Sequence, residues 1–128
     1  MRDCSIQLTN HPGDLARVAH VLGHRGVNIK ALAALSTGGG VAMARILPDD
    51  IAVARSALEE ARIRFTEGEV HLVLLENKAG VLANVTSRLG EAGINLEALY
   101  ITGIADDLVE LAIVSDNPKK AKKVLEEF

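Results

Sequence analysis

The stretch Asn77-Lys78-Ala79-Gly80-Val81-Leu82-Ala83-Asn84-Val85, running on to Leu89-Gly90-Glu91-Ala92-Gly93-Ile94-Asn95-Leu96, repeats a pattern found 67 residues earlier. There the chain reads Asn10-His11-Pro12-Gly13-Asp14-Leu15-Ala16-Arg17-Val18, then Leu22-Gly23-His24-Arg25-Gly26-Val27-Asn28-Ile29. Without a gap, Asn10/Asn77, Gly13/Gly80, Leu15/Leu82, Ala16/Ala83, Val18/Val85, Leu22/Leu89, Gly23/Gly90, Gly26/Gly93, Asn28/Asn95, Ala31/Ala98 and Leu32/Leu99 are identical. The chain is therefore two copies of one unit, residues 1–68 and 69–128, each small enough to gain from sharing a core with another copy.

Around the first copy, Cys4, Ile6 and Leu8 alternate with Ser5, Gln7 and Thr9, the period of a half-buried strand. Asn10-His11-Pro12-Gly13 breaks the run, and Leu15, Val18, Ala19 and Leu22 follow at helical spacing, with Arg17, His20 and His24 opposite. Gly26 ends the helix. Val27 to Ser36 and Val41 to Leu47 read as two strands joined through Gly38-Gly39-Gly40, and Pro48-Asp49-Asp50 starts a helix with Ile51, Ala54, Leu58 and Ala61 inward. Arg62 to Thr66 reads as a fourth strand. The unit is thus β-α-β-β-α-β.

Copy two repeats the order with strands at Val70–Glu76, Ile94–Gly103 and Leu108–Ser115, a helix over Val81–Ala92, and a last helix opened by Asp116-Asn117-Pro118. No strand follows it, which leaves a sheet edge in need of cover. Glu67-Gly68-Glu69 reads as a hairpin loop, so the Arg62–Thr66 strand is expected to serve the second sheet or to bridge both. The first two strands of copy two are apolar on both faces, so a lobe or a second subunit is expected against the face away from the helices.

Composition narrows the function. The chain carries 14 basic and 17 acidic residues, well mixed, with one Tyr, two Phe and no Trp, which suits an aliphatic core and not a nucleic-acid surface. No apolar run approaches a membrane span and no leader is legible, which points to a cytoplasmic protein. Cys4, the single cysteine, reads as a small core residue. His20 and His24 stand one helical turn apart, but without a Cys, and with only His11 as a third candidate, they read as a solvated face; no metal or cofactor is expected. No catalytic triad, paired acids beside a glycine loop, GxGxxG or P-loop is present, so an enzyme is not expected.

The unit with Asn-x-(Pro/Ala)-Gly-x-Leu-Ala-x-Val at its first strand-to-helix turn, and Gly-(Val/Ile)-Asn-(Ile/Leu) at its next strand, resembles the ACT domain. The resemblance covers the chain twice and implies an α+β protein of two ferredoxin-like units with antiparallel sheets and helices on one face. It implies a small stand-alone regulatory protein that binds a small molecule, usually an amino acid, and forms a homodimer. Such domains regulate phosphoglycerate dehydrogenase, aspartokinase and acetolactate synthase, so a regulatory subunit docked on a biosynthetic enzyme is the alternative. Family ligands sit where this turn of one domain meets the start of the second strand, or its neighbouring helix, of another. The matching positions are Asn10, His11, Gly13 and Asn28 in copy one, and Asn77, Lys78, Gly80 and Asn95 in copy two.

The residue types fit such a ligand. An Asn amide offers a donor and an acceptor to a zwitterion, and a helix start favours a carboxylate. Asn and Gly are also what helix capping selects, so Asn10 and Asn77 admit either role, whereas Asn28 and Asn95 follow a helix-ending Gly and favour the ligand. Most family motifs have Asp in place of Asn10 and Asn77, and Pro in place of Ala79. With Asp14 near the first turn and Lys78 at the second, the second is the better site for an anion.

Overall fold

The computed structural model describes residues 1–128 and divides into two compact units, Arg2–Gly68 and Glu69–Phe128, the latter also holding Met1. The first runs β1 (Arg2–Leu8), α1 (Asp14–His24), β2 (Ile29–Gly38), β3 (Val41–Pro48), α2 (Ile51–Glu60) and β4 (Phe65–Glu69). The second runs β5 (His71–Glu76), α3 (Val81–Glu91), β6 (Leu96–Ala105), β7 (Leu108–Ser115) and α4 (Pro118–Leu125). The sheets have strand orders β2-β3-β1-β4 and β5-β7-β6. These are the two ferredoxin-like units expected, the second without its last strand.

Each unit buries an aliphatic core between one sheet face and its two helices. In the first, Ile6, Ala44 and Ile46 of the sheet meet Val18, Leu22, Ala54 and Leu58. In the second, Val73, Leu75, Leu111 and Ile113 meet Val85, Leu89, Ala121 and Leu125. Fully burying one such Leu or Ile stabilises by ~1.5–3 kcal/mol, so these faces set the fold. Ala19, expected on the inner face of α1, is exposed, and Val21 packs against the core in its place. On the sheet face of the second unit away from its helices, Ala112 and Val114 are buried while Leu74 is exposed. No helix is long and apolar enough to cross a membrane.

The helix starts divide into two kinds. Asp50 accepts from the Val53 N–H at 3.2 Å and Asn117 from the Lys120 N–H at 3.2 Å, with Pro118 just inside α4, the usual side-chain caps. α1 and α3 instead start at Gly13 and Gly80 with no side-chain cap. Their first N–H groups are left without a side-chain partner at the turns that the repeat singles out.

The strand expected at Arg62–Thr66 is corrected in position and in partner. Arg62 takes φ +57°, the Ile63 N–H donates to the Leu58 carbonyl at 3.0 Å, and Ile63 is buried in the core. Residues 61–64 thus close the exit of α2. The strand starts at Phe65, includes Glu67-Gly68-Glu69 instead of turning there, and lies beside β1 in the first unit's own sheet. Beside its backbone pairing with β1, it is anchored through Glu67, whose carboxylate accepts from Arg55 Nε at 2.6 Å, Arg55 Nη2 at 2.9 Å and Arg2 Nε at 2.9 Å. Arg55 first, then Arg2, holds the Glu67 carboxyl down at about 2, against an ordinary 4.5.

A carboxylate with a depressed native value stabilises the fold above its unfolded value and loses that contribution as the pH falls towards the native one. Glu67→Gln should therefore be less stable than the parent at neutral pH, with the gap in urea midpoint closing between pH 4.5 and about 2. A gap that is the same at every pH would contradict this role. Cys4 lies in the same region at 1% exposure. Burial, then the Glu67 and Asp3 charges, pushes its thiol up to about 11, which makes it a core residue and not a nucleophile.

Candidate functional site: two strand-to-helix turns

In the second unit the end of β5 passes into α3 through Asn77-Lys78-Ala79-Gly80. The Asn77 N–H donates to the Asp107 carbonyl at 2.7 Å, which ties the turn to the β6–β7 hairpin, and the Val81 N–H donates to the Lys78 carbonyl at 3.3 Å. Gly80 stands at φ +89°, a conformation that costs an L side chain ~1–2 kcal/mol, and a Cβ there would meet nothing within 4 Å. The glycine is required by the backbone and leaves the space in front of the helix start open.

Lys78 Nζ and the Glu76 carboxylate form an ion pair at 2.8 Å, with side chains 71% and 65% exposed. Each reinforces the charge of the other, Lys78 being shifted up and Glu76 down by their hydrogen bond. The Asn77 side-chain amide makes no hydrogen bond within the chain. Next to these three residues opens a cavity of about 510 Å³, walled by Val81, Leu82, Leu99, Ile101 and Leu111 together with Tyr100. A cation, an anion and a free amide thus stand at the mouth of an apolar cleft.

The first unit builds the same turn from other side chains. Gly13 has φ +90°, and Asn10 is itself left-handed at φ +55°, with Nδ2 donating to Ser36 Oγ at 3.2 Å. Asn10 therefore reaches the end of β2 and does not cap α1, and Asn77 caps nothing either. Asp14 accepts from the Thr9 N–H at 3.1 Å and from Thr9 Oγ1 at 2.5 Å, and these bonds hold its carboxyl below the usual range. His11 Nδ1 and Thr9 Oγ1 share a further bond at 2.8 Å. The adjoining cavity is about 230 Å³ and includes Asn10, His11, Asp14 and Ser36 in its walls.

Asn28 and Asn95 stand elsewhere. Leu8 and Ser36 both pair with Ala42, whereas Ile29 pairs with Pro48, so Asn28 lies at the opposite end of the sheet from Asn10. The same holds in the second unit, where Glu76 pairs with Leu108 and Leu96 with Ser115. The Asn28 N–H donates to Asp49 Oδ1 at 3.1 Å, and the Asp49 N–H returns a bond to the Asn28 carbonyl at 2.9 Å. Asn95 repeats this with Asp116 and adds Nδ2 to Oδ2 at 3.2 Å. The structure brings Asn10, His11 and Gly13 together, and Asn77, Lys78 and Gly80 together. Within neither unit does it bring the second Asn to them.

Glu76 and the apolar wall escaped sequence reading. The only signal was the spacing of Glu76, two residues before Lys78 at a strand end, which the alternation of the strand absorbs. The His20 and His24 rings stack on the exposed face of α1 with centroids 6.2 Å apart, and nowhere do three or more His, Cys, Asp or Glu gather to hold a metal ion.

Comparison with known proteins agrees with this anatomy. The ACT domain pair family matches residues 1–128. Among solved structures, protein BT0572 from Bacteroides thetaiotaomicron is 26% identical with a TM-score of 0.86, over 98% of this chain and 86% of that one. The ligand-free regulatory subunit of aspartate kinase from Thermus thermophilus is 18% identical with a TM-score of 0.71, over 98% and 87%. The corresponding subunit from Thermus flavus is 18% identical with a TM-score of 0.67, over 98% and 90%. No curated protein sequence matches the chain. Two copies of the turn motif on two ferredoxin-like units, matched end to end, make this chain a member of the ACT family, a pair of ACT domains.

Proposed function

We propose that this protein is a non-catalytic regulatory ACT pair whose ligand is an amino acid, held at the strand-to-helix turn by Asn77, Lys78 and Gly80. Asn10, His11 and Gly13 are the corresponding positions of the first unit. Asn28 and Asn95, at the far end of each sheet, brace the strand starts against Asp49 and Asp116 and contribute nothing to the turn of their own unit.

The observation that carries the proposal is the Glu76–Lys78 ion pair, 2.8 Å across and exposed at the mouth of the cleft. An α-amino acid presents the complementary pair of charges. Its carboxylate takes Lys78 and the first N–H groups of α3, its ammonium takes Glu76 with the Asn77 side-chain oxygen as a further acceptor, and the exchange leaves no charge unpaired. Family membership supports a regulatory role, and the same fold forms the regulatory subunit of aspartate kinase in Thermus thermophilus. Large apolar side chains exposed in both units, Leu35 and Met43 in the first and Leu74 and Ile104 in the second, favour self-association or docking on a regulated enzyme. Binding that alters such a contact would couple the ligand to the partner.

A thermal-shift screen against the twenty amino acids tests the proposal. A ligand of the folded state at 100 times its Kd adds ~2.7 kcal/mol, a shift of several degrees. A response to one chemical class of amino acid is expected, and no response to any of them would refute the proposal.

A further inference from the structure

Building on that reading, we infer that the second unit carries the chain's one amino-acid site and that this site selects an aliphatic side chain. The two turns descend from one sequence, and comparing them position by position separates what the fold requires from what a ligand would require. Gly13 and Gly80 are equivalent in both identity and conformation, at φ +90° and +89°, and serve the fold.

The other positions have diverged in one direction. Glu76 and Lys78 form an ion pair at 2.8 Å where Thr9 and His11 share a hydrogen bond of 2.8 Å. Asn77 has a free side-chain amide where that of Asn10 is spent on Ser36. Val81 stands where Asp14 holds a carboxylate against Thr9, a charge that repels another carboxylate. The first turn is thus satisfied by its own side chains, and the second keeps its polar groups for something else.

The cavities follow the same division. That of the second unit, about 510 Å³, falls within the ~300–1,000 Å³ of small-molecule sites, and that of the first, about 230 Å³, falls below it. Behind the polar mouth of the larger one stand Val81, Leu82, Leu99, Ile101 and Leu111, with Tyr100 the one residue of that wall to carry a polar group. A carboxylate carried past the mouth would give up hydration against a wall that holds no cation, and a hydroxyl would do so for a wall that is apolar but for Tyr100, while a branched alkyl chain gains by the contact.

Calorimetric titration of the intact chain with leucine, isoleucine, valine, serine and aspartate tests this. The three aliphatic amino acids should bind with one site per chain, and serine and aspartate at least about tenfold more weakly. Leu82 is half exposed, at 50%, so Leu82→Gln should keep the fold while weakening leucine about tenfold or more and narrowing its advantage over serine; Leu82→Met should keep both. Two sites per chain, or serine and aspartate bound as tightly as leucine, would overturn the inference and leave the amino-acid reading standing. Failure of every amino acid to bind would instead remove the reading beneath it. If Leu82→Gln weakens self-association and leaves leucine binding unchanged, the cleft is a contact between copies and the inference fails.

Discussion

Arg45→Met is expected to cost the protein ~3–5 kcal/mol, because it removes the guanidinium that compensates a buried carboxylate. Asp3 has no exposed surface. Arg45 Nε donates to its Oδ2 at 2.7 Å and Nη2 to its Oδ1 at 3.1 Å, a two-point fit between planar groups. Arg45 lies opposite Ser5 across β1 and β3, and from there it reaches the diagonal neighbour on the same face, a contact within range of long side chains. Methionine keeps the apolar stem and about the same length, so the loss reports the charge and not a cavity. Chemical unfolding of the variant measures it, and Asp3→Asn in the same chain should restore part of the loss, since no buried charge then goes without its guanidinium. A cost below about 1 kcal/mol would place this pair with ordinary surface ion pairs, contrary to the burial of Asp3.

How much of this was legible in the sequence depended on how far each feature's causes lie along the chain. The two units, their helices and the positive φ of Gly13 and Gly80 follow from residues within a few positions of one another, and eleven identities between the copies make the pattern hard to miss. The fourth strand did not follow. Arg62-Ile63-Arg64-Phe65 alternates like a strand and Glu67-Gly68-Glu69 resembles a turn, but Arg62 and Ile63 are used to end α2. Glu67 belongs to a strand that pairs with β1, where Arg2, 65 residues away, and Arg55 bind its carboxylate. Nothing near Glu67 announces either partner.

The site divides in the same way. The turn residues were readable because the motif is local. Asn10 admitted both a capping and a ligand role by sequence, and the β2–β3 register settles its partner by bringing Ser36 within 3.2 Å. Asn28 and Asn95 read as ligand contacts facing the turn of another domain, because no local capping role explains them, and their place at the far end of their own sheet leaves that expectation open. Their partners, Asp49 and Asp116, lie 21 residues on and across a whole hairpin. The apolar wall was hidden for a further reason, since Leu99 and Ile101 read as ordinary strand residues until the helix beside them leaves a gap.

Lys78→Ala should weaken amino-acid binding by about 10- to 100-fold, the ~1.5–3 kcal/mol of a hydrogen bond to a charged group. Glu76 adds to the loss, because without its lysine it faces the incoming carboxylate alone. Lys78 is 71% exposed and its ammonium pairs with the similarly exposed Glu76, so the variant should melt within a degree or so of the parent, and any change in affinity belongs to the site. The most direct test is therefore a calorimetric titration of both proteins with the amino acid that gives the largest thermal shift. The account predicts a weaker Kd for Lys78→Ala with the number of sites unchanged. An unchanged Kd would contradict it and move the ligand away from this turn.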